Sequence, residues 1–140
     1  MRGVEKRKPH FHVTAGIIRR DGRLLITRRP AGSHLGGLWE FPGGKQEESE
    51  TLEACLIREI REELGVTVRA GERIRVVEHE YEEKRVTLHF FACALDDHAT
   101  IRSLEGQEAR WVQPSELSSF RFPPPDRCVI EQLQRDGGPP

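Results

Sequence analysis

The sequence predicts an α/β fold, a mixed β-sheet with helices on both sides. Two observations carry that prediction. Runs of β-branched and apolar residues recur at 11–19, 24–27, 73–81 and 86–95. One amphipathic helix, between Thr51 and Gly65, interrupts them, and a second, from Asp126 to Gln134, closes them.

The elements follow in order. Val13, Thr14, Ile17 and Ile18 mark the first strand, and Asp21-Gly22 is a two-residue hairpin signal. Leu24 to Thr27 return as a second strand that ends at Arg28-Arg29. Pro30 to Gly37 read as a loop, Leu38 to Phe41 as a short strand, and Gly43-Gly44 as a tight turn. The helix that follows takes Thr51 or Ser49 as N-cap and Gly65 as its stop. Leu56, Ile57, Ile60 and Leu64 form its buried stripe. Val66 to Val68 restart the β pattern, and the runs at 73–81 and 86–95 form a hairpin around Glu82-Glu83-Lys84. Ala109 to Val112 make a last strand, and Pro114 to Leu117 a helical turn.

The 140 residues fit one domain, with residues 1–9 and 136–140 as loose termini. That length buries a core without staples. Opposite charges nearly cancel, leaving −1, which argues against a general nucleic-acid binder. Cys55, Cys93 and Cys128 are isolated and lack CxxC spacing, so neither a disulfide framework nor a zinc site is expected. They read as reduced, mostly buried thiols. No apolar run has signal-peptide or membrane-spanning length, so the expected location is the cytoplasm.

Glu59, Glu62 and Glu63 share one helical face at spacing i, i+3, i+4. Like charges so placed cost a few tenths of a kcal/mol, and something should offset them. Arg58 and Arg61 are one answer. A hard divalent cation is another, and all-oxygen donors favour Mg²⁺ or Mn²⁺. Because magnesium shares its shell with phosphates, an acidic face beside a glycine turn suits a metal-bound polyphosphate. On spacing alone, a solvated and salt-bridged helix face accounts for the same run.

The full stretch reads Gly44, five residues, Glu50, seven residues, Arg58-Glu59-Ile60, one residue, Glu62-Glu63, one residue, Gly65-Val66. It resembles the Nudix box in every fixed position. The approach Leu38 to Lys45, the Arg28-Arg29 strand end, Glu105 and Phe122-Pro123-Pro124 resemble the MutT-type branch that cleaves nucleoside triphosphates. The resemblance implies an α/β/α sandwich with a mixed β-sheet between helices. It implies Mg²⁺-dependent hydrolysis of a nucleoside diphosphate linked to a further group, with Mn²⁺ as a substitute. Metal would be held by the Gly43 carbonyl, Glu59, Glu62, Glu63 and Glu105. Glu59, Glu62 and Glu105 are the catalytic candidates, and Gly44, Glu50, Arg58 and Gly65 would be structural.

For substrate binding, the resemblance singles out Arg29 for phosphate and the position of Asp126 for the base. Lys45, after the glycine turn, is a second phosphate candidate, and Phe41 is a candidate to pack against the base, with a solvated strand end and a core position as the competing roles of Arg29 and Phe41. Asp126 stands where the branch places an asparagine after FPP, and a helix N-cap is its competing role. Tyr81 lies near a tyrosine of dinucleoside-polyphosphate members, and Glu82 replaces the proline of ADP-ribose members. The expected function is a sanitising nucleoside triphosphate pyrophosphohydrolase acting on an oxidised or non-standard nucleotide, 8-oxo-dGTP-like or CTP-like. Alternatives are a dinucleoside-polyphosphate or nucleotide-sugar diphosphatase, and a non-catalytic nucleotide-sensing domain. The expected partner is a small nucleotide, with neither nucleic acid nor membrane, for a monomer or homodimer. His10 and His12 share a strand face and read as ordinary strand-edge residues, while His34, His79, His89 and His98 show no partner in the sequence.

Overall fold

The structure, a computed structural model, describes residues 7–33 and 36–137. The first β run becomes β1 (His10–Arg20). Its five consecutive buried residues, Thr14 to Ile18, mark a strand covered on both faces. Asp21 and Gly22 take left-handed φ values of 52° and 75°. That is the geometry a two-residue hairpin needs, and β2 (Arg23–Arg28) returns antiparallel.

The next segment departs from expectation. β3 is only Trp39–Glu40. Gly43-Gly44 make no tight turn. They belong to β4 (Gly43–Lys45), antiparallel to β1, with Gly44 opposite Thr14 and Gly43 opposite Ala15. The reason is steric: a Cβ on Gly43 would run into the Thr14 carbonyl. Glycine is needed for close approach of two backbones, not for a reversal.

Helix α1 (Leu52–Leu64) is capped by Thr51, whose Oγ1 accepts the Ala54 N–H at 3.0 Å. Gly65 ends it in the left-handed conformation, its N–H donating to the Arg61 carbonyl. Leu56, Ile60 and Leu64 are buried as expected, joined by Cys55, while Ile57 is half-buried.

β5 is one strand, Val68–Glu80, where the sequence suggested two segments. Register shifts between Ala70 and Arg75 break its alternation, and such a bulge hides continuity from a period-two reading. The turn at Tyr81–Lys84 leads into β6 (Arg85–Leu95), closing the expected hairpin. β7 (Glu108–Val112) pairs with β2. Two 3₁₀ turns, Pro114–Ser119 and Pro124–Asp126, precede α2 (Arg127–Gly137).

The described strands form a seven-stranded sheet ordered β3-β2-β1-β6-β5, with β4 on β1 and β7 on β2. It is mixed, because β1 runs parallel to β6 from His10–Arg85 to Ile18–Cys93. α1 packs on one face against Ile18, Leu25 and Phe91. α2 covers the other through Val129 and Leu133, against Ile17, Ile26 and Phe90. The α/β sandwich is thus the one expected, but β1 is central, and His10 and His12 are not edge residues.

Of the expected loose termini, residues 1–6 and 138–140 lie outside the described residues, as does His34. Lys8 is tied to Glu80 and to the Tyr81 carbonyl, the Pro9 carbonyl accepts the Arg85 N–H, and Asp136 belongs to α2. Cys55 and Cys93 are free and buried, and Cys128 is free and exposed. No helix among the described residues is long and apolar enough to cross a membrane.

Candidate active site

The site begins with one arginine. Arg58, in mid-helix, reaches back to the loop before α1 and grips Glu50 twice, Nε to Oε2 at 2.6 Å and Nη2 to Oε1 at 3.0 Å. The same guanidinium bonds the Lys45 carbonyl, Glu59 Oε1 at 2.9 Å and, more loosely, Glu62 at 3.4 Å. Glu50 also accepts the Glu47 N–H. These bonds hold the Glu50 carboxyl down to about 2, Arg58 contributing most. Glu50 and Arg58 therefore fasten loop to helix and are both satisfied.

Next to this fastened pair lies a group of carboxylates with too little positive charge. Burial, and then the charges of Glu40, Glu59 and Glu105, push Glu63 up to about 9 against one opposing bond from the Gly43 backbone. Burial also raises Glu59, with Glu62 and Glu105 adding to it and Arg58 opposing. Glu40 is raised by burial despite its 2.9 Å ion pair with Arg29. Glu62 sits at the rim, its side chain 55% exposed. Glu105 lies on the exposed loop before β7, yet its charge acts on Glu40, Glu59 and Glu63. Gly44 carries Glu59 across its open face, where a Cβ would occupy the space of the Glu59 carboxyl. Among the described residues no three His, Cys, Asp or Glu side chains close a metal site by themselves.

A largely apolar pocket opens on the other side of Gly43 and Glu40. Val13, Ala15, Phe41, Val86, Leu88 and two prolines line it, together with Thr14, Tyr81, Lys84 and Asp126. Phe41 is buried and stacks on Phe122 at 5.3 Å between ring centroids. Asp126 is buried at the end of the second 3₁₀ turn, not at an exposed helix cap, and burial followed by the Glu40 charge pushes its carboxyl up to about 7.

Residues 13–132 match the NUDIX domain family. The chain belongs to that family. It is 40% identical over 122 residues to a CTP pyrophosphohydrolase of Escherichia coli K12, covering 86% of this chain and 89% of the relative. It is 35% identical over 126 residues to an 8-oxo-dGTP diphosphatase of the same strain, covering 89% and 97% respectively. A crystal structure of a MutT protein from Methanosarcina mazei Go1 superposes with a TM-score of 0.83 at 29% identity, over 96% of this chain and 100% of that one. The protein is a MutT-like Nudix hydrolase, an enzyme acting on phosphorus anhydrides. Nudix hydrolases typically use divalent metal ions.

Within this Nudix fold the sequence-derived site residues fall into three groups. Glu59, Glu63 and Glu105 influence one another, with Glu62 beside them and Gly43 facing Glu63. Phe41 and Asp126 share the pocket. Arg29 stands at the shared wall, where it holds Glu40 and its charge acts on Tyr81, whereas the Lys45 ammonium lies over the Phe11 ring, 4.5 Å from its centroid. Sequence reasoning missed Glu40 and Lys84. Strand alternation carries a signal for Glu40, because it faces away from Trp39 and Phe41 and so toward another environment. Lys84 reads as a turn residue and gave none.

Proposed function

We propose that this Nudix hydrolase cleaves a nucleoside triphosphate to nucleoside monophosphate and pyrophosphate with Mg²⁺, for which Mn²⁺ can substitute. One observation carries the reading: the pocket and the carboxylate group share a wall. Glu40 and Gly43 line the pocket, and both act on Glu63. A base in the pocket would therefore have its phosphates beside Glu59, Glu63 and Glu105.

Glu59, Glu63, Glu105 and the Gly43 carbonyl would hold the ion, with Glu62 joining from the rim. The donor set fits, being all oxygen and short of positive charge. Magnesium keeps several waters and shares its shell with substrate phosphates, so few protein oxygens need reach it. When bound, the ion neutralises phosphate charge and lowers the pKa of the attacking water. Arg58 occupies Glu59 Oε1, which leaves Oε2 to orient that water and take its proton. Phe41 and the prolines exclude solvent from the base. Asp126, titrating near 7, presents one O–H and one acceptor when protonated, matching the ring nitrogen and amine of cytosine. Ionised, it accepts from the two adjacent donors of a guanine edge.

A panel of standard and oxidised (d)NTPs with Mg²⁺ tests this. Monophosphate and pyrophosphate are expected from at least one base. Turnover of a nucleotide sugar or dinucleoside polyphosphate with none of any NTP would overturn it. One observation favours that second reading, the presence of Tyr81 in the pocket wall, and the same panel decides.

A further inference from the structure

Three histidines with no part in the chemistry above form a ladder on the back of the pocket floor. Successive side chains of a strand point to opposite faces. β6 accordingly gives Val86 and Leu88 to the pocket and Arg85, Thr87 and His89 to the reverse face. β1 does the same, with Val13 and Ala15 in the pocket and His10 and His12 behind it.

The donors on the reverse face set the tautomers. Arginine can only donate. Arg73 donates to His89 Nδ1 at 3.2 Å, so the His89 proton sits on Nε2, which meets His12 Nδ1 at 2.9 Å. Arg85 donates to His10 Nδ1 at 3.3 Å, so His10 Nε2–H donates to Thr87 Oγ1 at 2.6 Å. The rings also pack in series, His10 on His12 at 4.6 Å and His12 on His89 at 5.2 Å. This arrangement needs three neutral imidazoles. A proton added to His12 Nδ1 would face the His89 N–H and break the ladder.

The surroundings favour neutrality. β5 contributes Arg73, together with Glu78 opposite Thr87 and Glu80 in an ion pair with Lys8. β6 contributes Arg85. Neither acid bonds a ring among the described residues. Burial, then His12, Arg73 and His10, lower the pKa of His89.

We propose that His10, His12 and His89 are positioning residues whose side-chain clamp reinforces the backbone ladder between β1 and β6 and so steadies the β5–β6 turn, Tyr81 to Lys84, as the pocket wall, a clamp that acid releases. The effect on catalysis rests on the pocket being the base site. The clamp itself does not.

Tyr81 is the single tyrosine of the chain, so its ring NMR signals report the turn, and the His79 ring that packs edge-on against it at 4.5 Å is common to the wild type and the variants compared below. We expect the Tyr81 signals to move in step with the His12 ring signals as the solution is acidified. KM for a cleaved nucleotide should rise about tenfold from about pH 8 to about pH 5.5, the factor that one pKa unit represents. His12→Asn keeps an acceptor for His89 but does not ionise. It should lose the shared Tyr81 step and flatten the KM rise to about twofold, with kcat following the same pH profile in both proteins. Asp126 and the substrate phosphates titrate in both and cancel. If folded His12→Asn keeps the full Tyr81 step and the full KM rise, the proposal fails. His89→Gln answers the same question should His12→Asn not fold. Absence of nucleotide cleavage by the wild type would sink the substrate reading instead, and the Tyr81 signal would still decide this one.

Discussion

At the scale of single residues, Glu63 is the most exposed to a change of conditions. Its carboxyl titrates near 4.5 when unfolded and near 9 in the fold. Between those values only the folded chain keeps the proton, so without metal Glu63 costs stability progressively as pH rises through that window. Glu63→Gln removes the penalty. At about pH 8 without metal its Tm should exceed that of the wild type, while its Mg²⁺-dependent kcat should fall by about a hundredfold or more, since even outer-shell partners of a metal are worth 10–100-fold. Scanning calorimetry and steady-state kinetics check the two halves. Gly44→Ala is the steric counterpart. Its Cβ would take the place of the Glu59 carboxyl, and α1 cannot retreat because Leu56 and Ile60 are fully buried. Overpacking of this kind costs about 1–3 kcal/mol, and urea unfolding together with lost activity should register it. The common face of Glu59, Glu62 and Glu63 was legible because helical spacing and the box fix it. Glu40 and the histidine partners were not, because their neighbours come from strands far along the chain.

At the scale of elements, α1 and its preceding loop behave as one unit through Arg58 and Glu50. Their bond depends on an ionised Glu50, whose carboxyl stays down at about 2 against an ordinary 4.5. That contribution is present above 4.5 and is lost as pH falls through 2. A double-mutant cycle of Arg58→Met and Glu50→Gln in urea unfolding should show coupling at neutral pH and none near about pH 2. The caps and most of the stripe of α1 were readable, since Thr51, Gly65 and the leucine spacing are local signals, although Ser49 competed as cap, Ile57 is half-buried and Cys55 joins the buried face. β4 and β5 were less so. Gly43-Gly44 carry the composition of a turn but serve a backbone contact with β1, and the bulge in β5 shifts its alternation midway. In both cases a tertiary neighbour overrode a local preference.

At the scale of the whole molecule, the layering could be read from the sequence, but the strand order could not. β1 and β6 pair in parallel although His10 and Arg85 are 75 residues apart, and nothing local marks such a partner. The assembled site should show linked metal and proton binding. If Glu63 holds the ion as proposed, Mg²⁺ displaces its proton, so the rise in Tm that Mg²⁺ produces should be larger at about pH 8.5 than at about pH 6. Scanning calorimetry with Mg²⁺ and with a chelator tests this, and an equal rise at both values would remove Glu63 from the metal site.

The pocket wall draws residues from Val13 to Asp126, nearly the whole length of the chain. If that pocket takes the nucleotide, as proposed, segments from Val13 to Asp126 must all be in place before its wall is complete. A nucleotide bound there would then favour only the fully folded chain, by about 2.7 kcal/mol at a hundredfold excess over Kd, and should protect it from proteases in proportion.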